Sequence, residues 1–131
     1  MRTALTGFAV LGLLAAGAVP ALADTAGTPA GLAISIIGTD GIDSAQLNCD
    51  PTDGSTHPTP GRACASLDKV DGDFNALPDT GRLCPYNYDP VTVTVDGTWG
   101  AREVHFTHDY PNQCVAEVTS DDVFNLRKNP A

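Results

Sequence analysis

VTVTVDGTW, residues 91–99, decides the fold class. Val91, Val93 and Val95 alternate with Thr92 and Thr94, the period of two that marks a half-buried strand. Asp96-Gly97 is turn chemistry, so the chain is expected to fold back through Thr98-Trp99-Gly100. The return strand then runs to Thr107, with Val104 and Phe106 on one face and Glu103, His105 and Thr107 on the other. Working outward, residues 31–38 (GLAISIIG) form an apolar run bounded by glycines, and residues 44–49 are a second short strand. Thr39-Asp40-Gly41 makes the turn between them. Residues 123–126 (VFNL) are expected to be a last strand. Three prolines make residues 49–60 an irregular loop. A helix follows, with Pro60 near its start, Ala63, Leu67 and Val70 at helical spacing, and Asp71-Gly72 closing it. Phe74-Asn75-Ala76-Leu77 has enough helical character for a short second helix, but Pro78 and Gly81 stop anything longer, and the stretch is read as loop. These elements make an α+β domain: an antiparallel sheet with one main helix.

The 131 residues do not all belong to that domain. Ala4 to Val19 is an uncharged apolar run, Pro20 breaks it, and Ala21-Leu22-Ala23 has the small-x-small form that signal peptidase accepts. Residues 1–23 are therefore expected to be a signal peptide, and its sixteen-residue run is short of the ~20 needed to cross a bilayer. Residues 24–30, small and polar, read as a flexible lead-in, and 31–131 as the domain. The product is expected to be secreted and extracellular. Without Arg2, six basic residues face sixteen acidic ones, a formal charge of −10. Such a surface repels phosphate backbones and anionic membranes, so neither nucleic acid nor membrane is an expected partner. Cys49, Cys64, Cys84 and Cys114 form an even set in a short exported chain, which reads as two disulfides. Spacing leaves all three pairings open. A zinc site is disfavoured because no C-x-x-C pair occurs and no histidine lies at short spacing from a cysteine.

Nothing in the chain supports catalysis. There is no G-x-S-x-G, and bonded cysteines leave no thiol. His105 and His108, three apart on a strand, point to opposite faces. Asp68, Asp71, Gly72 and Asp73 faintly resemble a calcium loop, but Val70 occupies a ligand position and the closing glutamate is missing. No metal or cofactor is expected. One segment does stand out: Leu83-Cys84-Pro85-Tyr86-Asn87-Tyr88-Asp89-Pro90. Pro85 and Pro90 fix their own φ and keep Cys84 and Asp89 out of helical conformation, so the stretch is extended at both ends around a large aromatic. These residues alone fit an exposed recognition loop and a covered loop equally well.

The order of several motifs resembles the Streptomyces subtilisin inhibitor family from about Leu32 to Leu126. Thr56-His57-Pro58-Thr59-Pro60-Gly61-Arg62-Ala63-Cys64 is similar to its T-H-P-x-x-G-x-A-C segment. Leu67, Gly72-Asp73 and Asn75-Ala76-Leu77 follow, then Cys84-Pro85-x-x-Tyr88-Asp89-Pro90-Val91 and Val93-x-Val95-Asp96-Gly97-x-Trp99. Asn112-x-Cys114 and Val123-Phe124 complete the set. The resemblance implies a secreted inhibitor of subtilisin-like, and by its aromatic Tyr86 chymotrypsin-like, serine proteases. It implies the pairings Cys49–Cys64 and Cys84–Cys114 and a reactive-site bond between Tyr86 and Asn87. The protease would touch Leu83, Cys84, Pro85, Tyr86, Asn87, Tyr88 and Asp89, with Asn112 bracing the loop from behind. It also implies a homodimer through the sheet face away from the loop, and a sheet rich in Val and Ile suggests an apolar second face for that contact.

The chain departs from the family at Ser55 (usually glycine), at Asn87 (often aliphatic), at Leu126 (usually aromatic), in a shortened link between the first two strands, and in a tail from Arg127 to Ala131. These departures motivate a rival reading: a secreted binding or structural domain that keeps the scaffold without inhibiting.

Overall fold

In the computed structural model the alternation of residues 91–99 continues past the expected turn. The structure describes residues 27–127 and Gly17; the rest of the expected signal peptide, the first three residues of the lead-in and the last four of the tail lie outside the described residues. Four strands, β1 (Ala30–Gly38), β2 (Gly41–Cys49), β3 (Val91–Trp99) and β4 (Arg102–Tyr110), form one sheet in the order β2-β1-β3-β4, every neighbour antiparallel. Helix α1 (Pro60–Asp68), a 3₁₀ turn (Phe74–Ala76) and helix α2 (Gln113–Val118) complete the fold. No helix among the described residues is long and apolar enough to cross a membrane.

Asp96-Gly97 is not the hairpin turn. Gly97 lies inside β3, opposite Leu32 of β1 and Val104 of β4, and the chain reverses after Trp99, at Gly100. Trp99 keeps the phase of Val91, Val93 and Val95, and all four are buried on one face. Burying the indole there outweighs the local turn preference of Asp-Gly. Gly97 serves a different purpose: at φ +155° its Cα faces β1, and a Cβ would collide with the Gly31 carbonyl oxygen. Gly72 is required for a similar reason. At φ +72° it ends α1 against Trp99, and a Cβ would lie 2.5 Å from the indole Cγ, while Asp71 accepts the indole N–H at 3.2 Å. The carboxylates that faintly resembled a calcium loop are thus engaged in turn and capping contacts; Asp73 accepts the Asn75 N–H at 3.0 Å.

The sheet buries one face only. Leu32, Ile34, Ile36, Leu47, Val93, Val95, Val104 and Phe106 meet Ala63 and Leu67 of α1, Phe74, and Val123 and Phe124. Phe124 stacks on Phe74 and Phe106, each with ring centroids 5.8 Å away. The open face is lined instead by cross-strand rows of small and polar residues, such as Ser44, Ser35, Thr94 and Thr107. The apolar second face expected from the Val- and Ile-rich strands is therefore not there: their large side chains point inward, and Ile37 and Ile42 are the exposed large hydrophobics of the open face.

Three further expectations change. Residues 123–126 are not a strand. Asp121 and Asp122 both take left-handed φ, which aspartate tolerates, and the turn they make lowers Val123 and Phe124 into the core. The described part of the lead-in, residues 27–30, is held in place: the Thr28 N–H reaches Asp68 Oδ1 at 3.2 Å, the Pro29 carbonyl accepts the Gly100 N–H at 2.7 Å, and Ala30 already belongs to β1. Phe74–Ala76, read as loop, is a 3₁₀ turn, and a second helix, α2, forms where none was expected, the valines of its sequence having low helix propensity.

His57 is buried at the start of α1 with both ring nitrogens engaged. Nε2 lies 2.7 Å from the Val123 carbonyl oxygen, and Nδ1 accepts the Thr59 N–H at 3.1 Å. Only the neutral ring with its proton on Nε2 satisfies both, and burial lowers its pKa. Exposed His105, beside Asp96 Oδ1 at 3.0 Å and Glu103, is shifted upward by hydrogen bonds to those carboxylates.

An NMR titration should therefore find His57 protonating below the free-imidazole value and His105 above it. The His57 contribution to stability is present above that value and lost as pH falls through the folded pKa; that of His105 has the opposite sign. Gly97→Ala should cost about 3 kcal/mol of unfolding free energy in urea. Gly61→Ala, where a Cβ on α1 meets open space, should cost nothing and add up to ~1 kcal/mol.

Candidate functional site

Residues 77–90 carry no regular secondary structure, yet they are tied down along their length, chiefly by one other part of the chain. The Thr80 N–H donates to the Val118 carbonyl at 2.8 Å. Arg82 forms a two-pronged pair with Asp122 at 2.7 and 2.5 Å, which lowers the carboxyl pKa of Asp122. Cys84 is bonded to Cys114, their Cα atoms 5.8 Å apart. The Asp89 N–H donates to the Pro111 carbonyl at 2.9 Å, and Thr39 Oγ1 donates to Asp89 Oδ1 at 3.0 Å. All of these anchors but Thr39 belong to α2 or to the turns that flank it.

The central anchor is Asn112. Its side chain is 4% exposed. Oδ1 caps α2 by accepting the Val115 N–H at 2.9 Å, as the N-cap position favours. Nδ2 donates to the carbonyls of Pro85 at 3.2 Å and Asn87 at 2.9 Å. One amide group thus grips the backbone on both sides of Tyr86. The side chains of Leu83, Tyr86 and Tyr88 stand almost entirely in solvent. The loop is exposed, which settles the alternative that its residues alone left open.

The other disulfide, Cys49–Cys64, joins the end of β2 to α1 and supports the scaffold, not the loop. Closing its loop is worth about 3 kcal/mol on the chain-entropy model. Both pairings are those the family resemblance implied. His105 and His108 lie on opposite sheet faces, as their spacing predicts, and no group of three His, Cys, Asp or Glu side chains that could hold a metal occurs among the described residues. Sequence reasoning missed Thr39, Thr80, Arg82, Pro111 and Asp122 as loop anchors. Arg82 and Asp122 are forty positions apart, and no local pattern connects them; Pro111-Asn112 at the head of α2 was the one readable signal, a proline and a capping residue. The tail contributes too: Arg127 Nη2 sits 3.1 Å from buried Glu117 Oε1, without hydrogen-bond geometry, and burial raises the Glu117 pKa.

A family described as subtilisin inhibitor-like matches residues 20–112. The chain belongs to that family. Subtilisin inhibitor-like protein 5 of Streptomyces fradiae is 42% identical over 81 residues, which cover 61% of this chain and 76% of that protein. Trypsin inhibitor STI2 of Streptomyces longisporus is 44% identical over 79 residues, 60% of this chain and 55% of that protein. Among solved structures, Streptomyces caespitosus sermetstatin, crystallised in complex with Bacillus licheniformis subtilisin, superposes with a TM-score of 0.58 at 33% identity, covering 73% of this chain and 96% of that one. The α+β architecture and the two disulfides belong to this family's scaffold.

Asn112→Asp separates the two jobs of the side chain. A carboxylate still caps α2 but cannot donate to either loop carbonyl. Amide hydrogen exchange should stay slow in residues 115–118 and rise at least tenfold at Asp89, whose N–H is bonded to the Pro111 carbonyl. Asn112→Ala should speed both and cost about 2–4 kcal/mol of stability.

Proposed function

We propose that this chain inhibits subtilisin-like serine proteases by offering the Tyr86–Asn87 bond as a substrate that the enzyme binds but does not release as cleaved halves. The observation that carries the reading is the Asn112 amide, which holds the carbonyls flanking a fully exposed Tyr86. The Tyr86 side chain fills the pocket that selects the residue before the cut, and the Tyr86 carbonyl, which Asn112 does not hold, enters the oxyanion hole. The residues in contact with the enzyme are Leu83, Cys84, Pro85, Tyr86, Asn87, Tyr88 and Asp89.

Inhibition follows from what happens after attack. In an ordinary substrate the new amine diffuses away. Here Cys84 holds the acyl side through Cys114, Asp89 holds the amine side through Pro111, and Asn112 holds both. The amine stays beside the acyl-enzyme at high effective concentration, so religation competes with water. The same anchors have already ordered the loop. Fixing seven free residues would cost on the order of 10 kcal/mol at binding, more than any single contact returns. The neighbour solved in complex with subtilisin supports the choice of enzyme class. A non-inhibiting scaffold is the weaker reading, since it leaves the braced, fully exposed loop without a purpose.

The leader, Ala4 to Val19 with Ala21-Leu22-Ala23, and the two disulfides support export with cleavage after Ala23, giving a domain that includes β1 from Ala30 in the extracellular space. Self-association through the open sheet face belongs to the same proposal. The support is steric: Gly31, Ala33, Ser35 and Thr94 leave that face flat enough for two sheets to approach closely.

Titration of subtilisin with the exported protein should abolish activity at one inhibitor loop per enzyme, with trypsin little affected. Tyr86→Lys should reverse that preference by a hundredfold or more, because a cation then meets the acidic pocket of trypsin; stronger inhibition of trypsin by the parent would unseat Tyr86. Replacing Cys84 and Cys114 together by serine should convert the inhibitor into a substrate cut after Tyr86, seen by mass spectrometry. A double variant as resistant to prolonged digestion as the parent would refute the tethering argument.

A further inference from the structure

Five large apolar side chains are strongly exposed among the described residues: Ile37, Ile42, Leu83, Tyr86 and Tyr88. Three are in the loop. The other two face each other across β1 and β2, one residue from the hairpin turn, on the open face of the sheet. That turn lies at the same end of the sheet as the loop, because β3 begins where the loop ends and Ile37 pairs with Thr92 beside it. Thr39 in the turn donates to Asp89 in the loop at 3.0 Å. Every strongly exposed large hydrophobic of the described chain is thus gathered at one end of the molecule, on two segments fastened to each other.

We propose that the tip of the β1–β2 hairpin, centred on Ile37 and Ile42, is a second contact surface for the same protease, touching it beyond the subsites on the amine side of the cut bond. The proposal rests on the reading of the Tyr86 loop. Its occupant follows from continuity: an enzyme seated on Asn87, Tyr88 and Asp89 has the hairpin directly beside it, and the Thr39–Asp89 bond fixes the distance between the two. A second copy of this chain is the poorer occupant. The other rows of the open face are small or polar, and the isoleucines lie at its loop end against the edge strand, away from where two sheets would centre. Asp40 in the turn, which with Asp43 and Asp89 also borders a cleft of about 240 Å³ on the inner side of the hairpin, adds negative charge at the tip. The enzyme should present an apolar patch edged by a lysine or arginine there. Because the hairpin is ordered before binding, these contacts add affinity with little further ordering cost.

The test is the double variant Ile37→Ser/Ile42→Ser in the exported protein, assayed for inhibition of subtilisin and for mass by sedimentation. The inhibition constant should weaken about tenfold, mainly through faster dissociation, with the mass and the cut site after Tyr86 unchanged. Asp40→Lys should weaken inhibition as well, and less so in high salt. Inhibition as strong as the parent's, or weakened only in step with a fall in mass, would overturn the hairpin contact and leave the loop reading intact. A parent protein that leaves subtilisin fully active would overturn the loop reading and this proposal with it.

Discussion

The carboxamide of Asn112 makes three hydrogen bonds, one through its oxygen and two through its N–H groups, in a place water does not reach. Its oxygen starts α2, and its two N–H groups stop the loop from collapsing or fraying. A buried amide left half satisfied would cost about 1–3 kcal/mol, so helix and loop are each stable in this form because the other is present. No other side chain type would do. Aspartate cannot donate, glutamine places the amide one carbon too far out, and serine reaches one partner only.

That coupling explains why so small a helix matters. Six residues of α2 would not hold together in water, and its first turn depends on the Asn112 cap. Its place is fixed by burial of Ala116 and Val118 and by the Asp121-Asp122 turn, which sets Phe124 between Phe74 and Phe106. The aromatic cluster is thus the footing on which the loop stands. The chain of support runs from sheet to Phe124, from Phe124 to the turn after α2, and from α2 to the backbone on each side of Tyr86. The exposed Arg82–Asp122 pair contributes little energy beside this, since ion pairs in water rarely exceed ~1 kcal/mol. It does fix where the loop begins.

A loop that must look like a substrate and behave unlike one needs rigidity without cover. Here the rigidity comes entirely from behind. The anchors reach main-chain atoms, the Cys84 sulfur and the side chains of Arg82 and Asp89, and the outward side chains of Leu83, Tyr86 and Tyr88 carry no structural duty. Specificity is therefore free to change without loss of the fold, which accords with relatives named for subtilisin and for trypsin on one scaffold.

The sequence by itself determined the strands, the main helix, the bonded cysteines and the extended, proline-bounded segment around Tyr86, because each rests on local periodicity or on residues that restrict their own φ. The family's motif order added the pairing of the cysteines and the role of Asn112, which spacing could not supply. Tertiary structure decided the rest. Burial of Trp99 on the same face as Val95 carried β3 through Asp96-Gly97, overriding a strong local turn signal. Two aspartates in left-handed conformation turned a strand-like VFNL stretch into a core plug. The inward turn of every large Val and Ile but Ile37 and Ile42 left the second sheet face polar. The anchors of the loop lie between about twenty and forty positions away from it, or on another hairpin altogether, and such contacts exist only once the sheet has brought those segments to one end. Local patterns report what a residue prefers; which preference prevails is set by what else must be buried beside it.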